Sequence, residues 1–442
     1  MSDVISMIQE QYGFTVNGYR EAGGRTILET DRGLFNLYTY PLNYRNKKKL
    51  VDSVRKHITK GTSFTTLPIL KTKENQPYLI AGDRVIYVHK GIRESIPVDF
   101  SFAIGRALAE FHQGTCSFTV DALFFPYRSM GTWPSMWRKK ISMFESIREE
   151  LERNQGDLTV FDEYILTTYT YVHQIADISI KFLQDNGYQN VTRMSATTGK
   201  IAFQNFDDGY IMFDERGSRR LAGEYAWVLD MRARDIGQWI KAEVRRNGYN
   251  PFVIQQFLAG YNEVAPLLEE EYSVIYSLLV YPGRFFRQIE LYDQINDGNL
   301  DQSDLRNWTE ELEQELIEME NVLRQFPLLI EEVYGIRIPR IEWLWRDRVL
   351  GMDSSSSSSY ARHGAGTDSN ADSYAGSSNY SSSRGDSCES ESSCQSDCSY
   401  QSESSCQSEG SGRSDCSYDS ESSCRNESSD SSYYSSSRNS SW

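Results

Sequence analysis

Ile104-Gly105-Arg106-Ala107-Leu108-Ala109-Glu110-Phe111-His112 divides this chain of 442 residues into two kinds of pattern. The stretch lies in a helical repeat over 102–112, the first of a series of helices. Before it, up to about residue 95, short strand patterns dominate. Residues 26–30, a turn at Asp31-Arg32-Gly33 and residues 34–40 predict a hairpin. Leu50, Val51, Val54 and Ile58 recur at helical spacing and predict one amphipathic helix over 44–58. Strand patterns follow at 67–70, 78–80 and 84–88. After residue 112 the predicted helices are 133–151, 162–183, 233–247, 251–264, 268–279 and 302–325. A short strand pair at 201–203 and 210–213 interrupts them. The expected fold class is α+β: a small antiparallel-sheet lobe over 1–95, then a helical lobe over 96–350.

The remainder, 351–442, has a different composition. From Asp353 onward there is no Leu, Ile, Val, Phe or Met, and about two residues in five are Ser. Such a segment cannot bury enough apolar surface to offset the entropy of ordering, so a disordered tail is expected. It carries an 18-residue repeat: Ser396-Asp397-Cys398-Ser399-Tyr400 returns as Ser414-Asp415-Cys416-Ser417-Tyr418. Six of the seven cysteines lie here: Cys388, Cys394, Cys398, Cys406, Cys416 and Cys424. Together with Tyr400 and Tyr418 they are the candidate cross-linking residues, because exposed thiols and phenols on a soluble spacer react through access rather than fixed geometry. Cys394 and Cys398 lack the four convergent ligands of a structural zinc site, so no metal is expected.

The net charge of −16 divides into −9 for the tail and −7 for the body. A mildly acidic body argues against nucleic-acid binding, which needs a basic face. There is no apolar run of membrane-spanning length, and MSDVISMIQEQYGF has no secretory pattern. Neither membrane nor nucleic acid is therefore an expected partner.

Several stretches carry a family resemblance over about residues 10–300. Residues 104–112 resemble the "G-x-x-L-A-x-x-H" helix of the protein-kinase and aminoglycoside-phosphotransferase superfamily. Gly131-Thr132-Trp133 with Trp137-Arg138-Lys139-Lys140, and Asp235-Ile236-Gly237-Gln238-Trp239-Ile240, resemble segments of the CotS/YutH-like spore-coat proteins. So do Tyr261-Asn262, Pro266-Leu267, Tyr281-Pro282-Gly283-Arg284-Phe285-Phe286 and Tyr292. The resemblance implies a two-lobed, protein-kinase-like fold. It also implies synthesis in a mother-cell cytoplasm without a signal peptide, residence in the spore coat, and other coat proteins as partners. A tail so rich in thiols would join them in disulfide-linked multimers.

Phosphoryl transfer is mostly positioning and charge neutralisation, and a kinase-like fold supplies it with a strand lysine and metal-binding polar residues. Here Tyr38 stands where the lysine is expected. The loop pattern "H-G-D-x-x-x-x-N" is matched by residues 198–205, with Thr198 for the histidine, Lys200 for the aspartate and Asn205 retained. For the second metal aspartate two registers stay open: Met212 if 211–214 follows "I-D-F-D", or Asp214 if the loop is shorter. An ammonium at Lys200 cannot take a proton from an acceptor and would repel a metal. The expectation is a degenerate site with no catalytic residue and no cofactor, in a non-catalytic coat component. The alternative is an active ATP-dependent phosphotransferase acting on a small molecule or coat protein. G-x-S-x-G, H-E-x-x-H and G-x-x-x-x-G-K-[ST] do not occur.

Overall fold

Strand β3 (Gly33–Pro41) is the middle strand of a five-stranded antiparallel sheet in the order β1 (Val16–Ala22), β2 (Arg25–Thr30), β3, β6 (Arg84–Lys90), β5 (Leu79–Ala81). The computed structural model describes residues 2–153, 156, 158–292 and 302–342, all within one compact unit. Side chains alternate across a strand, so this sheet has two buried faces. Phe35, Leu37, Ile86 and Val88 point to one face and pack against Ile8, Tyr12 and Phe14, brought there by α1 (Ser2–Tyr12) and the turn after it. Tyr38, Tyr40, Val85 and Tyr87 point the other way, into the main core with α2 (Lys48–Gly61).

The helical lobe follows as α3 (Phe100–Thr115), α4 (Trp133–Arg153), α5 (Val160–Asp185) and α6 (Tyr188–Thr198). After the short strands come α7 (Ala233–Asn247), α8 (Pro251–Val264), α9 (Glu269–Val280), α10 (Gly283–Ile289) and α11 (Gln302–Tyr334). Local chemistry sets several starts. Thr159 and Asp162 form a capping box at α5, and Asn250 caps α8 with Pro251 in its first turn. The resemblance helix α3 lies against α8 at unusually close range. A Cβ on Gly105 would come within 2.1 Å of the Phe257 carbonyl oxygen, and one on Gly260 within 2.1 Å of that of Phe102. Each backbone therefore needs the other's glycine.

The expected two-lobed, protein-kinase-like plan of antiparallel sheet and helical lobe is present, and so is the 26–40 hairpin, paired Thr26 to Leu37. Three expectations change. The helix placed over 44–58 begins as a 3-10 turn at Leu42–Lys47, because the buried Lys47 ammonium reaches the carbonyls of Tyr225 (3.1 Å) and Trp227 (3.2 Å). The stretch 67–70 is no strand but one bridge, Ile69 to His89; Pro68 has no N–H with which to extend it. The strands β7 (Ile201–Phe203) and β8 (Ile211–Phe213) do not pair with each other. β7 pairs with β10 (Trp227–Leu229), and β8 with β9 (Arg219–Leu221), which in turn lies parallel to β4 (Thr65–Thr66). The helices α1, α6 and α10 were not expected from periodicity. The tail over 351–442, with its repeat and its cross-linking candidates, lies outside the described residues.

Candidate functional site

The loop joining β7 to β8 bears on the sheet at Gly209. Tyr38 is 1% exposed, and its hydroxyl donates to the Gly209 carbonyl at 2.5 Å. The Arg25 guanidinium donates to the same oxygen at 2.9 Å and pairs with Glu94. The β1–β2 turn completes the seal, with Gly209 N–H donating to the Gly23 carbonyl at 2.9 Å. A Cβ on Gly209 would lie 2.3 Å from that oxygen, so only glycine allows the contact. Burial pushes the Tyr38 hydroxyl up, and it stays protonated.

The other sequence-selected residues separate. Thr198 is the last residue of α6, its hydroxyl donating back to the Met194 carbonyl at 3.2 Å. Lys200 precedes β7 and sends its ammonium to the Phe118 carbonyl at 3.2 Å. Asn205 sits in the β7–β8 loop and accepts from Arg287 at 3.3 Å. Met212 is buried on β8, its sulfur 3.6 Å from Asn36 Nδ2. Asp214 organises the β8–β9 turn, accepting from the Arg216 and Ser218 amides at 3.0 and 2.8 Å and pairing with Arg220 at 2.7 Å. Those donors hold its carboxyl below the usual range, Arg220 foremost. The fold thus brings Tyr38 and the Asn205 loop together, while Thr198, Lys200 and Asp214 serve local structure.

Sequence reasoning missed the acids that do lie near the cleft. Glu224 is wholly buried, 3.0 Å from Arg55 of α2 and 3.4 Å from His89 Nε2. Burial lowers His89, so its ring is neutral. Asp207 and Asp208 in the β7–β8 loop both pair with Arg246, and Trp239 Nε1 donates to Asp208 at 2.6 Å. Burial pushes Asp208 up to about 6 against the pull of Arg246. The adjacent acids were visible in the sequence; their arginine, 38 residues on, was not. Among the described residues no three His, Cys, Asp or Glu converge in a way that could hold a metal ion. The loop is anchored from below by Asp235 of α7, whose carboxyl oxygens accept from the Phe203 amide at 2.9 and 3.0 Å.

Past Asn205 the loop borders a second space, a cavity of about 330 Å³ walled by α4, α7 and α10. No helix among the described residues is long and apolar enough to cross a membrane.

The chain is 23% identical over 259 residues to the endospore coat-associated protein YutH of Bacillus subtilis (strain 168), covering 55% of this chain and 70% of that one. Among solved structures it is similar to an aminoglycoside phosphotransferase from Alicyclobacillus acidocaldarius subsp. acidocaldarius DSM 446. That pair has a TM-score of 0.49 and 13% identity, covering 74% of this chain and 96% of the other. The AMP-bound spectinomycin phosphotransferase APH(9)-Ia gives a TM-score of 0.44 and 12% identity, over 71% and 98% of the two chains. The profile of the family described as "Spore coat putative kinase YutH" matches residues 5–326, and this chain belongs to that family.

Proposed function

We propose that the protein is a non-catalytic component of the spore coat, with a kinase-like body kept as a docking and packing module. Family membership supports the place in the coat. The observation that carries the non-catalytic reading is the seal at Gly209. In a kinase the loop over the first strands covers the nucleotide phosphates and a β3 lysine neutralises them. Here that turn rests directly on the β7–β8 loop, and the β3 side chain is a neutral phenol spent on the same carbonyl.

The loop geometry also favours a different register from the sequence reading. The segment beneath the turn is 204–210, with Asn205 and Tyr210 near its two ends, five residues apart as in "D-x-x-x-x-N". In that register the aspartate slot holds Asn205 and the asparagine slot Tyr210; in the other, the aspartate slot holds Lys200. Neither offers a carboxylate to orient a hydroxyl. Asp207, Asp208, Asp214 and Glu224 each have an arginine partner. These residues do not fit a magnesium–nucleotide complex.

The tail completes the proposal: Cys388, Cys394, Cys398, Cys406, Cys416, Cys424, Tyr400 and Tyr418 cross-link the protein to coat neighbours. Titration of the purified chain with Mg·ATP tests the body, and neither magnesium-dependent binding nor hydrolysis is expected. Magnesium-dependent binding with hydrolysis lost in Asn205→Ala would establish the phosphotransferase alternative instead. Extraction of spores with and without reductant tests the tail; release without reductant would refute the disulfide linkage.

A further inference from the structure

The cavity beyond Asn205 is lined by six basic side chains: Lys140, Arg234, Lys241, Arg245, Arg284 and Arg287. The acids lining it are Asp207 and Glu315. Three of the bases are matched by carboxylates. Lys140 lies 3.0 Å from Glu290, Arg234 2.7 Å from Asp230, and Arg284 2.6 Å from Glu315. Asp207 is already taken by Arg246.

Among the described residues no ion pair is formed by Lys241, Arg245 or Arg287. Lys241 donates to the Tyr281 carbonyl, and Arg287 to Asn205. Lys241 and Arg245 are one helical turn apart on α7, and Arg284 and Arg287 three residues apart on α10, so two helices aim like charge at one space. Burial foremost, with neighbouring cations, depresses both Lys241 and Arg287 against the pull of Glu315, and for Arg287 of Glu290 as well. A fold that keeps mutually repelling cations around a cavity keeps them at a cost to its own stability. An anion between them would remove that cost.

Polar atoms deeper in the wall point the same way. The Tyr281 hydroxyl and Gln288 Oε1 are buried without a hydrogen-bond partner among the described residues. Buried polar atoms are ordinarily satisfied, and these two line the cavity. Tyr281 is held flat against Trp137, ring centroids 4.1 Å apart, which fixes where its hydroxyl stands. The volume suits a small molecule rather than a peptide strand.

We propose that this cavity binds a small oxyanion with two or more negative charges, a phosphate ester or a polycarboxylate. Its charged oxygens bridge Lys241, Arg245 and Arg287, and its uncharged polar groups meet Tyr281 and Gln288. The planar guanidinium fork suits either oxyanion. This goes beyond the coat role, since it requires neither phosphoryl transfer nor assembly.

Calorimetric titration of the full chain with pyrophosphate and with citrate tests it. Saturable binding of at least one is expected, weakened by added salt and by at least about tenfold in the double variant Arg245→Gln/Arg287→Gln. The arm that binds tells phosphate from carboxylate chemistry. The single variant Arg245→Gln, on an exposed side chain, repeats the test if the double variant does not fold. Two results would overturn the proposal: neither anion binding at low salt, or affinity unchanged by the substitutions. Tight binding of the polycation spermidine, lost in the same variants, would overturn it equally.

Discussion

His112 Nε2 lies 3.0 Å from Asp235 Oδ2, with both side chains wholly buried, and so ties α3 to α7 through the base of the cleft. The ring's other nitrogen meets the Tyr261 hydroxyl at 2.7 Å. Burial raises Asp235 well above its ordinary range and lowers His112 well below its own. The low-dielectric interior thus favours a neutral pair over an ion pair. His112→Ala leaves a buried carboxyl without its ring partner. A loss of about 2 kcal/mol in urea unfolding is expected from the buried hydrogen bonds left unmade.

Gly209→Ala tests the seal. Its methyl would collide with the Gly23 carbonyl, so the turn must lift or the loop must shift. A destabilisation of about 2 kcal/mol is expected. Faster amide exchange at Gly23 and Gly24 should accompany it.

Arg55→Ala removes the cation 3.0 Å from the fully buried Glu224. An isolated buried charge costs far more than an exposed one. The variant should lose about 3 kcal/mol at neutral pH, read by urea unfolding.

Lys241 supplies a pH signature. Burial lowers it to about 8, below its unfolded value of 10.5. A depressed lysine penalises the fold wherever the unfolded chain is protonated and the folded one resists. The penalty is complete below pH 8 and disappears as pH rises toward 10.5. Lys241→Met should therefore raise the urea midpoint below pH 8, in anion-free buffer, and lose its advantage above 10.5.

Periodicity made the lobes legible. Leu50, Val51, Val54 and Ile58 all point inward from α2, and the stripe Trp137, Ile141, Phe144 marks the buried side of α4. The cleft was less readable, since Tyr38, Gly23 and Gly209 meet across more than 170 residues, and no local pattern encodes such a meeting. The loop pattern matched at 198–205 runs from the end of α6 at Thr198 through the whole of β7, the strand already expected at 201–203, and nothing local ranks one pattern over the other. The cavity's charge was hidden for a related reason. Lys241 and Arg245 read as an ordinary solvated helix face until α10 is placed opposite.

The pairing of β4 with β9 has a mechanical consequence. Phosphotransfer enzymes breathe, swinging one half over the other about a pivot with each turnover. Here the Leu67 amide donates to Leu221 at 2.7 Å, the Tyr40 hydroxyl to Gly223 at 3.0 Å, and Lys47 to two further carbonyls across the same divide. Stitched at these points, the two halves of the described residues should move together, and slow amide exchange at Leu67 is the expected sign.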